Sequence, residues 1–170
     1  MFVLGIDPGL TRCGFGVIEG SLEGPERFVA HAAGVLASSK NDAVEDRLAS
    51  LVHDLRALYA DVRPDAVVVE RIFFQRNART AIGVAQASGI AIGLAGELAL
   101  PVRQFTAQEV KLAVTGYGAA DKQQVQSMVA THCGLLEPPS PPDVADALAL
   151  AITYFMTTRT EQRLGLAVRA

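Results

Sequence analysis

The sequence has few of the residues that crosslink a protein or anchor it in a membrane. Its two cysteines, Cys13 and Cys133, form no CxxC pair and have no histidine at metal-ligand spacing. Two isolated cysteines are typical of buried thiols in a cytosolic protein rather than of a disulfide framework. The longest uncharged stretch, residues 80–96, contains Gln86, Ser88 and four glycines, and it is shorter than the roughly 20 apolar residues of a membrane span. We therefore expect a cytoplasmic protein without a membrane segment, in which this stretch forms a buried helix.

Signals for targeting, repeats and linkers are also missing. The N-terminal segment MFVLGIDPG has no basic region and no cleavage site, so we expect no signal peptide. Half of the residues are apolar and only 19% are charged, which is a globular composition and not a disordered one. A chain of 170 residues suits a single core. We predict one domain over residues 1–158, followed by a flexible tail over residues 159–170.

The net charge of −3 is unevenly distributed along the chain. Residues 1–70 carry a balance of −5, whereas residues 71–122 carry a balance of +3. The basic residues of this middle segment are Arg71, Arg76, Arg79, Arg103, Lys111 and Lys122. A locally basic segment in an acidic protein fits contact with phosphate on one face, although a mixed solvated surface explains the charges equally well.

Hydrophobic patterns predict an α/β protein. Apolar runs predict strands at residues 2–7, 15–20, 27–36, 65–70 and 101–105. Helical spacing predicts helices at residues 42–62, 79–98, 107–114, 121–133 and 142–157. Three strands in a meander, then a helix, a strand, a helix and a strand, indicate a mixed five-stranded sheet with helices on both faces.

Two of the predicted strands end in a carboxylate. Asp7 follows the apolar run FVLGI, and Glu70 follows the β-branched run AVVV. Sites in open α/β sheets form beyond the carboxyl ends of strands, so the two acids meet there if their strands are neighbours. Taken singly, each acid is explained as well by a turn or a cap. The pair favours a functional site.

Two more acids fall at the start of the last predicted helix. Ser140 suits the N-cap and Pro141 the first helical position, so a capping box accounts for Asp143. Asp146 lies one turn later in a helix that is apolar nearly all round. A lone buried carboxylate costs several kcal/mol unless it is paired or metal-bound. The two acids share one helix face, with Cβ atoms about 5–6 Å apart.

Four carboxylates without a basic partner in the local sequence favour hard, oxygen-ligated cations. Asp7, Glu70, Asp143 and Asp146 therefore form a candidate catalytic site for Mg²⁺ or Mn²⁺. Such ions work in pairs about 3.5–4 Å apart in phosphodiester hydrolysis. We expect two ions per site.

Four segments together resemble the RuvC family of bacterial Holliday junction resolvases, or crossover junction endodeoxyribonucleases. They are GIDPGLTRCGFGVIE at residues 5–19, VVVERIFFQRNARTA at 67–81, QEVKLAVTGYGAADKQQVQSMV at 108–129, and PPDVADALALAIT at 141–153. Each segment is modest alone, but the four in order cover nearly the whole chain. The resemblance implies an RNase H-like fold, a homodimer, and paired nicking of four-way DNA junctions in recombination and repair, leaving 5′-phosphate ends. It also implies work alongside the branch-migration proteins RuvA and RuvB.

The resemblance assigns roles to individual residues. The family's catalytic acids fall on the four acids named above, although some relatives carry histidine at the position of Asp143. The junction-stacking aromatic falls on Phe73, with Phe74 beside it, and we expect Phe73 to point outward while Phe74 or Ile72 is buried. The basic DNA-contacting residues fall on Lys111 and Lys122. In this setting Arg71, Arg76 and Arg79 are further candidates for DNA contact.

Alternative interpretations remain for parts of this pattern. The segment DPGLTRCG resembles the phosphate loop of actin- or Hsp70-like ATPases, but such enzymes need a second domain and a second loop. A shorter nuclease of the YqgF type shares the fold, but the segments around Glu70 and Asp146 fit RuvC better. A junction-binding protein without catalysis is disfavoured by the presence of all four acids. The glycines of the predicted helix over residues 79–98 suit either packing against the sheet or a dimer interface.

Overall fold

The computed structural model describes residues 1–72 and 78–166, of which residues 78–80 are described by their backbone alone. The strands are β1 (Phe2–Asp7), β2 (Arg12–Glu19), β3 (Val29–Ala37), β4 (Ala66–Glu70) and β5 (Val102–Phe105). The helices are α1 (Val44–Val62), α2 (Ala78–Glu97), α3 (Ala107–Thr115), α4 (Lys122–Cys133) and α5 (Pro142–Arg163). The predicted elements are all present, with boundaries shifted by a few residues at several ends.

The strands form one mixed sheet in the order β3-β2-β1-β4-β5. The first three strands pair antiparallel because short connections join them. Strands β4 and β5 are parallel to β1 because each follows a helix that crosses a face of the sheet. This is the predicted five-stranded architecture.

Two hydrophobic cores cover the two faces of the sheet. On one face, Val3 and Val68 pack in a cluster with α3, α4 and α5. On the other face, Leu4 and Val67 pack in a cluster with α1 and α2. Successive strand residues alternate between the faces, so the odd-numbered residues of β1 point toward α5.

Glycines in the sheet let α5 lie unusually close to it. A Cβ atom on Gly5 would lie 2.0 Å from the carbonyl oxygen of Ala147, and one on Gly14 would lie 2.3 Å from that of Asp143. Both contacts are with the helix backbone, which cannot move aside as a flexible side chain does. The beginning of α5 is therefore seated directly on β1 and β2.

The turn that follows Asp7 is tied to the neighbouring strand and to α1. The backbone N–H of Ser38 donates to the carbonyl oxygen of Thr11 at 3.1 Å, and the Ser38 hydroxyl donates to that of Leu10 at 2.6 Å. The Arg47 guanidinium donates to the hydroxyls of Ser38 at 3.0 Å and Thr11 at 2.8 Å. These bonds fix the backbone between β1 and β2.

Helix α5 starts at Pro142, as its predicted range of residues 142–157 has it, but its N-cap differs from the expected one and its end lies later. Pro141 is the N-cap and Pro142 the first helical residue, so Ser140 does not cap the helix and no capping box forms there. At the other end α5 continues to Arg163, beyond the predicted boundary at residue 158. Arg159 is buried, and Glu161 forms an ion pair with Arg103 at 2.8 Å. These contacts hold the last turns of α5 in place through Arg163.

Helix α2 is buried on one face only, which corrects the expectation of a fully buried helix. Ala87, Ala91 and Ala95 are fully buried against the sheet, whereas Ile82 on another face is 60% exposed. None of the helices within residues 1–72 and 78–166 is long and apolar enough to cross a membrane.

Replacing Gly5 with alanine tests the close approach of α5. Because the new methyl group would collide with the backbone of Ala147, we expect G5A to lower the free energy of unfolding by about 2–3 kcal/mol in urea denaturation. The matched control is G34A, where the methyl group would meet only the ring of Phe15, which is able to rotate. Equal destabilisation by the two variants would contradict a backbone contact at Gly5.

Candidate active site

Asp7 and Glu70 lie side by side at the carboxyl edge of the sheet. The parallel register pairs Ile6 of β1 with Val69 of β4, so the residue after each is the next in register. Both side chains fall on the face of the sheet covered by α5, because strand residues alternate with a period of two. Because β1 and β4 are neighbours in the sheet, Asp7 and Glu70 lie together as the sequence predicted.

Helix α5 brings the other two acids to the same edge. Its backbone at Asp143 rests on Gly14, which is the β2 partner of Asp7. Asp146 follows one turn later and lines a cavity together with Asp7 and Glu70. The side chain of Asp146 is 32% exposed, so it is not the fully buried lone carboxylate that the apolar helix suggested.

The cavity has a volume of about 290 Å³ and combines acidic and basic groups. Its polar lining consists of Asp7, Glu70, Asp146, Lys111 and Lys122, and apolar side chains of α3, α4 and α5 complete it. A larger cavity of about 570 Å³ lies between the C-terminal parts of α1 and α2. That cavity adjoins Pro64 and Leu100, at the opposite end of the parallel strands, away from the four acids. We place the functional site in the smaller cavity, where the chemistry-bearing groups converge.

Capped helices hold the two lysines at this cavity. In α3 the Thr106 hydroxyl accepts from the Glu109 N–H at 3.2 Å, and the Glu109 carboxylate accepts from the Thr106 N–H at 2.7 Å. A second capping box, between Asp121 and Gln124, starts α4 at Lys122. These reciprocal bonds set where each helix begins. Lys122 is consequently placed at the first position of α4, facing α5.

Each acid of α5 has a basic partner, which the sequence analysis did not anticipate. Arg12 donates to the Asp143 carboxylate from Nε at 3.0 Å and from Nη2 at 2.8 Å. Lys122 donates to the Asp146 carboxylate at 3.2 Å. The four acids are thus partly neutralised by the chain itself. Arg12 has no signal in its local sequence beyond its place at the start of the strand that pairs with β1.

The two strand acids are held in an environment that disfavours their charge. Burial, together with the nearby charges of Glu70 and Asp146, raises the pKa of Asp7 to about 7. Burial also raises the pKa of Glu70, against the lowering effect of its hydrogen bond with Asp7. The charge of Asp146 raises the pKa of the Lys122 ammonium. A positive charge that enters the cavity would therefore stabilise the ionised forms of Asp7 and Glu70.

The chemistry of the donor set suits a hard divalent cation, although the side chains are arranged for ion pairing. Carboxylate oxygens are the ligands that Mg²⁺ and Mn²⁺ prefer. Over residues 1–72 and 78–166, no three histidine, cysteine or acidic side chains are grouped closely enough to hold a metal ion. The two acids of α5 are instead paired with basic side chains, Asp143 with Arg12 and Asp146 with Lys122.

Of the remaining residues predicted to contact DNA, the structure describes the side chain of Arg71 only. Arg71 is exposed and donates to the carbonyl oxygen of Gln104 at 3.2 Å, so its guanidinium lies at the end of β5 beside the cavity. Ile72 is half-buried. The predictions for Phe73, Phe74 and Arg76 lie outside the described residues. The backbone of Arg79 lies in the first turn of α2, and its side chain is likewise outside the description.

Comparison with known proteins identifies relatives over nearly the whole chain. Residues 3–154 match the family described as "Crossover junction endodeoxyribonuclease RuvC". A curated protein of that name from Salinispora arenicola is 49% identical over 98% of this chain and 94% of its own length.

Two solved structures share the fold. The Thermus thermophilus RuvC structure is 34% identical with a TM-score of 0.85, covering 97% of this chain and 97% of that one. T. thermophilus RuvC in complex with Holliday junction substrate is 34% identical with a TM-score of 0.87, covering 94% of this chain and 96% of that one. The expected RNase H-like fold is therefore confirmed.

The raised pKa of Asp7 predicts a pH-dependent stability of the metal-free protein. A protonated Asp7 stabilises the folded state fully below the ordinary pKa of 3.8, and this contribution is lost as the pH rises through about 7. Asparagine cannot ionise, so in the presence of a chelator we expect D7N to be more stable than the wild type at about pH 8. The difference should be on the order of a few kcal/mol and vanish near about pH 4. Thermal unfolding across this pH range measures it, and a difference that does not vary with pH would contradict the pKa shift.

Proposed function

The chain belongs to the RuvC family of crossover junction endodeoxyribonucleases, and from this membership we propose that it resolves Holliday junctions by metal-dependent hydrolysis at the acids of the sheet edge. The observation that carries the proposal is the convergence of Asp7, Glu70 and Asp146 with Lys111 and Lys122 in one cavity. A relative from T. thermophilus was solved in complex with Holliday junction substrate. We infer paired, symmetric nicking that leaves 5′-phosphate and 3′-hydroxyl ends.

Asp7, Glu70 and Asp146 are the proposed ligands for Mg²⁺ or Mn²⁺, with Asp143 completing the set for a second ion. When bound, such ions activate water and stabilise the leaving oxygen in phosphodiester hydrolysis. The proposal is supported by the pKa of Asp7, because a carboxyl with a pKa of about 7 is fully ionised at neutral pH only when a cation offsets its neighbours. Holding the ions requires Asp143 and Asp146 to turn from their basic partners toward Asp7.

Lys111 and Lys122 are the proposed contacts to the DNA backbone at the site. Both line the cavity beside the acids, and the side chain of Lys122 is 73% exposed, so its ammonium is accessible to a phosphate. The exposed Arg71 extends this basic edge. For Phe73, Phe74, Arg76 and Arg79 the proposal of base stacking and DNA contact rests on the family resemblance.

We propose that the chain acts as a homodimer through the outer face of α2. Gly89, Gly93 and Gly96 are spaced to share one helix face, and a Cβ atom on any of them would meet nothing within 4 Å. Ile82 lies two turns before Gly89 and is 60% exposed. Small residues beside an exposed apolar side chain allow a second helix to approach closely. A two-fold dimer would present two equivalent sites to two equivalent strands.

We also propose that the protein acts in the cytoplasm, alongside branch-migration proteins. Cys13 and Cys133 are free thiols, in keeping with the reducing cytoplasm. Work alongside the branch-migration proteins RuvA and RuvB follows from family membership, since a resolvase acts on the junctions that such proteins move.

A junction-cleavage assay tests the proposed function directly. In Mg²⁺ or Mn²⁺, we expect the wild type to nick a synthetic four-way junction and to leave a linear duplex of the same sequence intact. D7N should lower the cleavage rate by more than about 100-fold, because a metal ligand is lost, while gel-shift affinity for the junction is kept. The matched control is D61N on the exposed face of α1, which should cleave like the wild type. Undiminished cleavage by D7N would overturn the assignment of the site.

The dimer is tested by an arginine on the outer face of α2. Arginine favours a helix more than glycine does, so G93R should fold but place a charge and a long side chain in the interface. We expect sedimentation velocity to show a dimer for the wild type and a monomer for G93R. The control A49R, at an exposed position of α1, should remain dimeric. A G93R protein that sediments like the wild type would place the interface elsewhere.

A further inference from the structure

Arg12 stands at the candidate metal site without belonging to the predicted ligand or DNA-contact sets. It is the first residue of β2, and its side chain points to the same face of the sheet as Gly14, two residues later. That face carries the beginning of α5. The side chain is 48% exposed and reaches the acidic cluster at Asp143, whereas Lys122 reaches it at Asp146.

The contact between Arg12 and Asp143 is made by two bonds to one oxygen. Nε and Nη2 both donate to Oδ2 of Asp143, at 3.0 Å and 2.8 Å. The guanidinium of arginine is planar and preorganised to bind carboxylates. A divalent cation that binds through Oδ2 needs lone pairs that these two bonds occupy, so the guanidinium and the ion compete at this oxygen.

The corresponding pair on the other side of the site is held less firmly. Lys122 reaches Asp146 through a single bond of 3.2 Å, and its side chain is 73% exposed. Asp146 also lines the cavity with Asp7 and Glu70, whereas Asp143 is outside the cavity lining. An ion that binds Oδ2 of Asp146 therefore breaks one exposed bond, whereas an ion that binds Oδ2 of Asp143 breaks two.

We propose that Arg12 is a positioning residue that competes with the divalent ion for the carboxylate of Asp143. This inference rests on the proposed metal-dependent function. The two cation positions are consequently unequal, and the ion that uses Asp143 is bound more weakly than the ion held by Asp7, Glu70 and Asp146. Arg12 keeps that second position from filling at low ion concentration.

Titration of the full-length chain with Mn²⁺ alone, followed by calorimetry in the absence of DNA, tests the proposal. R12Q removes the competing charge, so the weaker Mn²⁺ affinity should rise about two- to fivefold, the range of an exposed ion pair. R12K keeps the charge but cannot make both guanidinium bonds, so its weaker Mn²⁺ affinity should lie between those of the wild type and R12Q. In the D143N background, R12Q should change nothing, because the carboxylate over which the two cations compete is gone. The control R56Q removes a distant ion pair with Glu97 and should leave both affinities unchanged.

The outcomes separate this inference from the function on which it rests. An unchanged weaker affinity in R12Q, an R12K protein that binds Mn²⁺ more tightly than R12Q, or an equal effect of R12Q with and without D143N would each overturn competition at Asp143. If D7N still abolishes Mn²⁺ binding in those cases, the proposed metal site is supported and only the proposed role of Arg12 is contradicted. Mn²⁺ binding that neither D7N nor D143N weakens would overturn the metal site itself.

Discussion

The site depends on the direct seating of α5 on the backbone of β1 and β2. Glycines at positions 5 and 14 leave space that the carbonyl oxygens of Ala147 and Asp143 occupy. A side chain at either position would collide with the helix backbone and push the helix, with its two acids, away from the sheet. The sheet alone brings Asp7 and Glu70 together, but only this contact adds carboxylates from a helix to carboxylates from strands. The close packing of a core is therefore also what assembles the charged cluster.

The sequence predicted the sheet and its helices well because their hydrophobic patterns are strong. The β-branched run before Glu70 and the continuous apolar run of β1 have few alternative structures. The start of α5 was harder to predict, since Ser140 is a good cap by propensity, yet the chain places Pro141 there. The end of α5 depends on Arg103 and Glu161, which are distant in sequence and meet only in the folded protein.

The sequence did not predict the basic side chains that pair with the acids of the site. The strand-end acids followed from topology, and Asp146 followed from its odd place in an apolar helix. The partners of the α5 acids did not, because Arg12 and Asp143 are separated by 131 residues and no local pattern links them. Sequence reasoning consequently described a cluster of bare carboxylates. The fold shows a cluster with its own counter-ions, in which burial acts most strongly on the pair contributed by the strands.

The anchored turn after Asp7 has a consequence for how quickly the site can change state. Ser38, Thr11 and Arg47 fix the backbone on which Asp7 and Arg12 are mounted, and capping boxes fix the helices that carry the two lysines. An exchange of partners at the acids is then a matter of rotamers, which in exposed side chains interconvert in picoseconds to nanoseconds, and not of loop or domain motion. The acids can therefore change ionic partners without any rearrangement of the backbone that carries them.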